Sequence, residues 1–212
     1  MKVDAKTMAV YAVTDSAWLK GRALADDVER ALLGGATFVQ LREKALDTED
    51  FIKLAQEVKQ VVDRFAVPFV INDSVEVAMA VDADGVHVGQ KDMEAGDVRQ
   101  RLGADKIIGV SVQNCEQALL AEAQGADYLG VGAMFATGTK LDASEVSFEE
   151  LRNICEAVSI PVVAIGGINE KNIQQLKGIG ADGVAVVSAI FAAEDITQAT
   201  QNLVKLVGEM LV

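Results

Sequence analysis

Short runs of β-branched and other apolar residues recur along the chain, separated by longer stretches in which apolar side chains return every three or four positions. The runs predict strands over Met8–Thr14, Phe38–Glu43, Pro68–Asn72, Gly85–Gly89, Lys106–Val112, Tyr128–Met134, Pro161–Ile165 and Gly183–Val187. Helical spacing is plainest over 47–64, where Phe51, Leu54, Ala55, Val58, Val61 and Val62 share a face and Lys53, Glu57 and Lys59 fall between. Alternating strands and helices imply a mostly parallel sheet, because parallel neighbours need a crossover connection.

A weak internal repeat supports the count of eight units. Gly35-Ala36-Thr37-Phe38, Ala83-Asp84-Gly85-Val86, Gly125-Ala126-Asp127-Tyr128 and Gly180-Ala181-Asp182-Gly183 each close a helix and open a strand. Eight such units, with no linker or low-complexity segment between them, predict a single (β/α)8 TIM barrel domain spanning 1–212. The rival is an open doubly wound sheet, but Thr14-Asp15-Ser16 stands after the first strand where a dinucleotide fold would carry Gly-x-Gly-x-x-Gly.

Composition narrows the function. The chain has 212 residues, half of them hydrophobic, with 18 glycines and 2 prolines, which suits a well-packed α/β protein. A net charge of −13 argues against nucleic acid as a partner, since phosphate-backbone binding draws on surplus Lys and Arg. The first residues include Asp4 and Lys6 and do not read as a signal peptide, and the longest apolar run, 183–193, is broken by Ser188 and falls short of the ~20 residues that span a bilayer. Cys115 and Cys155 lack metal-ligand spacing and read as free buried thiols. These features predict a cytoplasmic protein with neither membrane nor nucleic-acid partners.

Against this background, Val39-Gln40-Leu41-Arg42-Glu43-Lys44 stands out, because strand alternation would put Gln40, Arg42 and Lys44 on one face. Two cations and an amide suit an anionic ligand with hydrogen-bonding edges; an edge strand with a solvated face is the alternative. In a barrel the active site lies at the C-terminal strand ends. There the sequence offers two constellations. Gly166-Gly167 after the seventh strand and Ser188 after the eighth suit a phosphate held by backbone N–H groups and a hydroxyl, or else the glycines serve only a turn. Asp73 and Asp92, among Arg42, Lys44 and Lys140, suit a Mg²⁺ ion between carboxylates and a diphosphate, or else each caps the helix after it. The only histidine, His87, lies inside a strand and reads as a satisfied interior residue; Tyr11 and Trp18 read as packing or rim residues. No Ser/His/Asp or Cys/His grouping points to acyl transfer.

Taken together, Gln40-Leu41-Arg42-Glu43-Lys44, Asn72-Asp73, His87-Val88-Gly89-Gln90-Lys91-Asp92, Gly109-Val110-Ser111, Thr137-Gly138-Thr139-Lys140-Leu141-Asp142 and Ile165-Gly166-Gly167-Ile168 resemble the thiamine phosphate synthase family over nearly the whole chain. The resemblance implies a small (β/α)8 barrel that uses Mg²⁺. The implied reaction joins 4-amino-2-methyl-5-diphosphomethylpyrimidine to a thiazole phosphate, forming thiamine phosphate and releasing pyrophosphate. It also implies roles: Gln40, Arg42, Lys44, Asn72, Ser111 and Lys140 around the pyrimidine and its diphosphate, with Arg42, Ser111 and Lys140 nearest the chemistry. Asp73 and Asp92 would bind the metal, and Thr137, Thr139, Gly167, Val187 and Ser188 the thiazole phosphate. The implied partners are these small molecules, with homo-oligomerisation left open.

The chain departs from the family in one loop, where Gly132-Ala133-Met134-Phe135-Ala136-Thr137 replaces the usual Gly-Pro-Ile/Val-Phe-Pro-Thr. Alanine fixes φ less tightly than proline, so a more mobile loop and weaker thiazole binding are expected. Two rival functions keep the same barrel: a thiazole tautomerase-like enzyme, which has little use for Asp73, Asp92 and Lys140 together, and a non-catalytic binder of a thiamine precursor.

Overall fold

The structure is a computed structural model that describes residues 3–19, 21–136 and 145–212. Eight strands, β1 (Val10–Val13), β2 (Phe38–Leu41), β3 (Phe69–Asn72), β4 (Gly85–Val88), β5 (Ile107–Val112), β6 (Tyr128–Val131), β7 (Val162–Ile165) and β8 (Gly183–Val186), pair in sequence order into a closed barrel. Every pairing is parallel, and β8 returns to β1. The expected (β/α)8 fold is therefore present. Because β2 is bonded to β1 on one side and β3 on the other, the edge-strand alternative for 39–44 is excluded. That strand ends at Leu41, earlier than expected, so a loop and not pleat alternation carries Arg42 and Lys44.

Helices α1 (Leu24–Leu33), α2 (Thr48–Val62), α3 (Val75–Ala80), α4 (Ala95–Leu102), α5 (Cys115–Ala123), α6 (Phe148–Ala157), α7 (Ser188–Phe191) and α8 (Ile196–Met210) cover the outside. Between β7 and β8 a single 3-10 turn, Ile173–Leu176, takes the place of a helix. The pattern over 47–64 resolves as α2, capped by the Asp47 carboxylate accepting from the Asp50 amide, with Phe51, Ala55, Val58, Val61 and Val62 buried.

The strands bury both faces, as parallel strands between two apolar layers must. Along β1, Val10 and Ala12 join the large core beneath the helices, while Tyr11 and Val13 join a smaller cluster with Phe38, Val70, Ile107, Tyr128 and Val163 inside the barrel. Burying residues of the size of Val, Leu and Phe contributes about 1.5–3 kcal/mol each, so these two layers dominate the fold's stability.

The sequence repeat has a physical cause at the N-terminal end of the barrel. The Asp84 carboxylate accepts the Phe69 amide N–H while the Asp84 amide donates to the Phe69 carbonyl. Asp127 does the same with Ile108, Asp182 with Val162, and the Thr37 hydroxyl and amide with Val10. Each repeat thus clamps an even-numbered strand to the odd-numbered strand before it, satisfying a strand-end donor that would otherwise lack a partner.

Candidate active site

At the opposite, C-terminal end, the chain after β1 holds the chain after β2. The Thr14 hydroxyl, fully buried, accepts the Arg42 amide at 3.0 Å, and the Arg42 guanidinium meets the Asp15 carboxylate at 3.2 Å. The Ser16 hydroxyl bonds the Glu43 carboxylate, which also accepts the amides of Lys44 and Ala45 at 2.7 and 3.0 Å. Burial pushes the Glu43 carboxyl up, but the Ser16 hydroxyl, those two amides and Arg42 outweigh it and hold it below its ordinary value. Glu43 is therefore the brace of its own loop. Thr14, Asp15 and Ser16 were visible in sequence only as the absence of a glycine-rich turn.

Lys44 reaches from this braced loop to the Asp73 carboxylate at 2.8 Å. Asp73 follows β3 with φ of 62°, a left-handed conformation that costs a non-glycine residue about 1–3 kcal/mol and aims its side chain across the barrel mouth. It is not a helix cap: the Ser74 hydroxyl caps α3 by accepting the Val77 amide. Asp92, after β4, accepts the Gly89 amide at 2.8 Å and leaves the start of α4 to Glu94, so it does not cap its helix either. Burial raises the Asp92 carboxyl above its ordinary value, and the adjacent Asp73 carboxylate raises it further, against the opposing Gly89 amide and Lys44. Two carboxylates pressed together in this way favour a cation between them.

Magnitude separates these pairs from scaffold. Lys44 and Asp73 keep 59% and 29% of their side-chain surface exposed, and such a pair stabilises a fold by only about 0–1 kcal/mol. The Lys44 ammonium can leave Asp73 for a phosphate at little cost. Asp27 is different: it is fully buried on α1, both of its carboxylate oxygens accept from Arg22 Nε at 2.9 Å and one also pairs with Arg30 at 3.5 Å, while Arg22 in turn donates to the Trp18 and Phe191 carbonyls. That arrangement ties the chain after β1 to α7, the short helix that begins at Ser188.

Gln40 and Ser111 are joined through the barrel interior. Gln40, 4% exposed, donates from Nε2 to the Tyr11 hydroxyl at 2.5 Å; Tyr11 and Tyr128 share a hydrogen bond of 2.7 Å. The Tyr128 hydroxyl lies 2.9 Å from His87 Nδ1, and His87 Nε2 lies 2.8 Å from Ser111 Oγ. His87 is thus the satisfied interior residue the sequence suggests, whereas Tyr11 is more than packing. Gly109 and Gly130 make the space: a Cβ on Gly109 would collide with the Tyr128 ring and with His87, and one on Gly130 would press His87 at 3.3 Å. The signal available in sequence was that Tyr11 and Tyr128 are the only two tyrosines and both lie inside predicted strands.

On the other arc of the mouth, Gly166 and Gly167 have φ of 99° and 68°. A Cβ on Gly167 would meet the Ala136 and Phe135 carbonyl oxygens at 2.6 and 2.8 Å, and one on Gly166 would strike Ala133 at 2.6 Å. The pair is therefore required by backbone geometry as well as suited to an anion. The Gly167 carbonyl accepts from the Asn169 and Asn172 amides, fixing the turn. Val187 precedes α7 and Ser188 opens it. Asn72 ends β3 with 9% exposure, beside His87 in register. Thr137, Thr139 and Lys140 lie outside the described residues. Cys115 and Cys155 are free, and half-buried rather than buried; burial pushes the Cys155 thiol up to about 11.

A closed parallel barrel whose C-terminal rim carries facing carboxylates, cations and a turn that only glycine fits defines a (β/α)8 enzyme of the phosphate-substrate class. A family model described as thiamine monophosphate synthase matches residues 10–190. The thiamine-phosphate synthases of Clostridium beijerinckii and Clostridium tetani are 53% and 50% identical over 195 and 200 residues, covering 92% and 94% of this chain and 93% and 96% of theirs. Among solved structures, thiamine phosphate pyrophosphorylase from Pyrococcus furiosus superposes with a TM-score of 0.90 at 42% identity, covering 98% of this chain and 99% of that one. The chain belongs to the thiamine monophosphate synthase family.

Proposed function

We propose that this chain condenses 4-amino-2-methyl-5-diphosphomethylpyrimidine with thiazole phosphate to give thiamine phosphate and pyrophosphate. The observation that carries the assignment is the pair Asp73 and Asp92, side by side with Lys44 already on Asp73. The pair is a poor site for an anion alone and a good one for a diphosphate that arrives with a divalent cation. Two carboxylates leave most of an octahedral shell open, which fits Mg²⁺ with water and phosphate oxygens as its remaining donors. When bound, Mg²⁺ would neutralise charge on the leaving pyrophosphate.

The chain's own residues do the rest. Arg42, Lys44 and Lys140 bind the diphosphate and stabilise the charge that gathers on it as the C–O bond to the pyrimidine methylene breaks. Gln40, Asn72 and Ser111 hold the pyrimidine ring, and Thr137, Thr139, Gly167, Val187 and Ser188 hold the thiazole phosphate so that its ring nitrogen meets the methylene carbon. Electrons leave with pyrophosphate and return from the thiazole nitrogen, so no strong base is required and positioning supplies much of the acceleration. Among the described residues no helix is long and apolar enough to cross a membrane; the proposed enzyme acts on small molecules in the cytoplasm. A tautomerase-like enzyme has little use for two carboxylates beside a diphosphate-ready lysine, and the presence of this pair together with the residues for a second phosphate argues for turnover over a non-catalytic binder.

The test mixes the purified protein with both substrates and Mg²⁺ and follows both products. Thiamine phosphate and pyrophosphate should appear in equal amounts; absence of product overturns the reading in favour of a binder, and proton exchange on the thiazole without condensation favours the tautomerase.

A further inference from the structure

The five side chains Gln40, Tyr11, Tyr128, His87 and Ser111 form one continuous hydrogen-bonded chain, with links of 2.5, 2.7, 2.9 and 2.8 Å, and they come from β2, β1, β6, β4 and β5. Its two ends are residues assigned to the pyrimidine; its middle three join those ends through the barrel interior. The middle has little freedom. Both phenols are fully buried, and burial raises both well above the ordinary tyrosine range, so each carries a single proton. A neutral phenol that accepts from one neighbour must donate to the other.

Starting from the Gln40 end, the directions follow. Nε2 donates to Tyr11; Tyr11 then donates to Tyr128, Tyr128 to Nδ1 of His87, and Nε2–H of His87 to Ser111 Oγ. The Ser111 proton remains for a ligand, and the Gln40 carbonyl, on the far side of the amide from Tyr11, remains as an acceptor. Reversing any one bond would oblige all the others to reverse.

We propose that Tyr11, Tyr128 and His87 are positioning residues that lock the polarity of Gln40 and Ser111 together, so that the site presents an acceptor at Gln40 and a donor at Ser111. The matching ligand offers an N–H donor at the first and an acceptor at the second, as an aminopyrimidine does with its exocyclic amine and a ring nitrogen. For the identity of that ligand the proposal rests on the synthase assignment; the locked polarity itself is a property of the free protein. A ring bearing a carbonyl in place of the amine would set oxygen against the Gln40 carbonyl and be refused, since a site built on buried polar groups rejects the analogue that leaves one unpaired.

His87 is the only histidine in the chain, so its imidazole nitrogens give a single set of NMR signals. In the ligand-free wild type, ¹⁵N shifts should report the Nε2–H tautomer. Tyr11→Phe keeps the ring and removes only the hydroxyl; although Tyr11 does not hydrogen-bond His87, the variant should admit the Nδ1–H tautomer, because Tyr128 is freed to accept. Calorimetric binding of the pyrimidine diphosphate should weaken about tenfold in Tyr11→Phe, and preference for the 4-amino over the 4-oxo analogue should fall by a similar factor, as expected for one lost buried hydrogen bond. KM for the thiazole phosphate should stay unchanged. Tyr128→Phe provides a second break if Tyr11→Phe folds poorly, and should give the same loss of preference. An Nδ1–H tautomer or an imidazolium in the wild type, or a tautomer indifferent to Tyr11→Phe, overturns the proposal. If the tautomer behaves as stated but neither pyrimidine binds, the polarity lock stands and the substrate assignment fails.

Discussion

At the N-terminal end of the barrel Asp84, Asp127 and Asp182 each accept a neighbouring strand's amide at 2.7–2.8 Å, whereas at the C-terminal end Asp73 and Asp92 turn toward each other and toward Lys44. The residue type is the same and the surroundings are opposite. A carboxylate whose oxygen is taken by a strand-end N–H completes the sheet. A carboxylate raised in pKa by burial and by another carboxylate beside it is held in a configuration that folding alone does not favour, and such sites gather where ligands bind. The barrel separates the two tasks by length: strand ends are fastened at one end, and the proposed chemistry belongs to the other.

The largest effect expected from this contrast is on Asp92. Asp92→Ala should lower kcat about 10²–10³-fold, the range seen when one electrostatic stabiliser of a transition state is removed, with partial recovery at high Mg²⁺ and a melting temperature close to wild type. Asp127→Ala should do the reverse. It removes the acceptor of the Ile108 amide and the 2.6 Å partner of Arg99, and should cost about 1–3 kcal/mol in urea unfolding while leaving kcat/KM near wild type. Equal kinetic damage from the two variants would erase the distinction between the ends.

Smaller changes sharpen the comparison within the mouth. Ser188→Ala should raise KM for the thiazole phosphate about tenfold or less and leave the pyrimidine KM alone, the scale of one hydrogen bond to a charged or polar group. If Ser188→Ala instead altered the pyrimidine and Asp92→Ala the thiazole, the two subsites would be exchanged. The smallest effect concerns Glu43. Its carboxyl is held below the ordinary 4.5, so the stability it contributes is present above pH 4.5 and lost as pH falls through the depressed folded value. Melting temperatures of wild type and Glu43→Gln should differ above pH 4.5 and converge below it. Introducing both prolines, Ala133→Pro with Ala136→Pro, should lower the thiazole KM; an unchanged KM would show that the alanines are neutral.

The hydrophobic pattern made all eight strands legible to within two or three residues, because parallel strands buried on both faces read as continuous apolar runs. It could not show that β2 stops at Leu41, since Arg42 and Lys44 continue the alternation that a strand would have. The repeat was visible too, but Asp84, Asp127 and Asp182 read only as strand openers: which amide each reaches depends on register between strands, and register is not written in one strand's sequence. The chemistry-bearing types at strand ends, Asp73, Asp92, Lys44 and Ser188, were legible because charge at the end of an apolar run is conspicuous. Tyr11 and Tyr128 were not, since an aromatic residue within an apolar strand looks like packing until its hydroxyl is seen to have a partner across the barrel. Thr14 and Ser16 escaped for the same reason: small hydroxyl residues acquire a role only from the neighbouring strand end they hold.

The most direct test of the division between the two ends is a Mg²⁺ titration of pyrophosphate release in wild type, Asp92→Asn and Asp84→Asn. If the upper pair holds the cation that accompanies the diphosphate, Asp92→Asn will move the half-saturating Mg²⁺ concentration upward, Asp84→Asn will leave it at the wild-type value, and chelation will stop turnover in all three. A midpoint that moves equally in both variants, or turnover that continues in EDTA, would contradict the account.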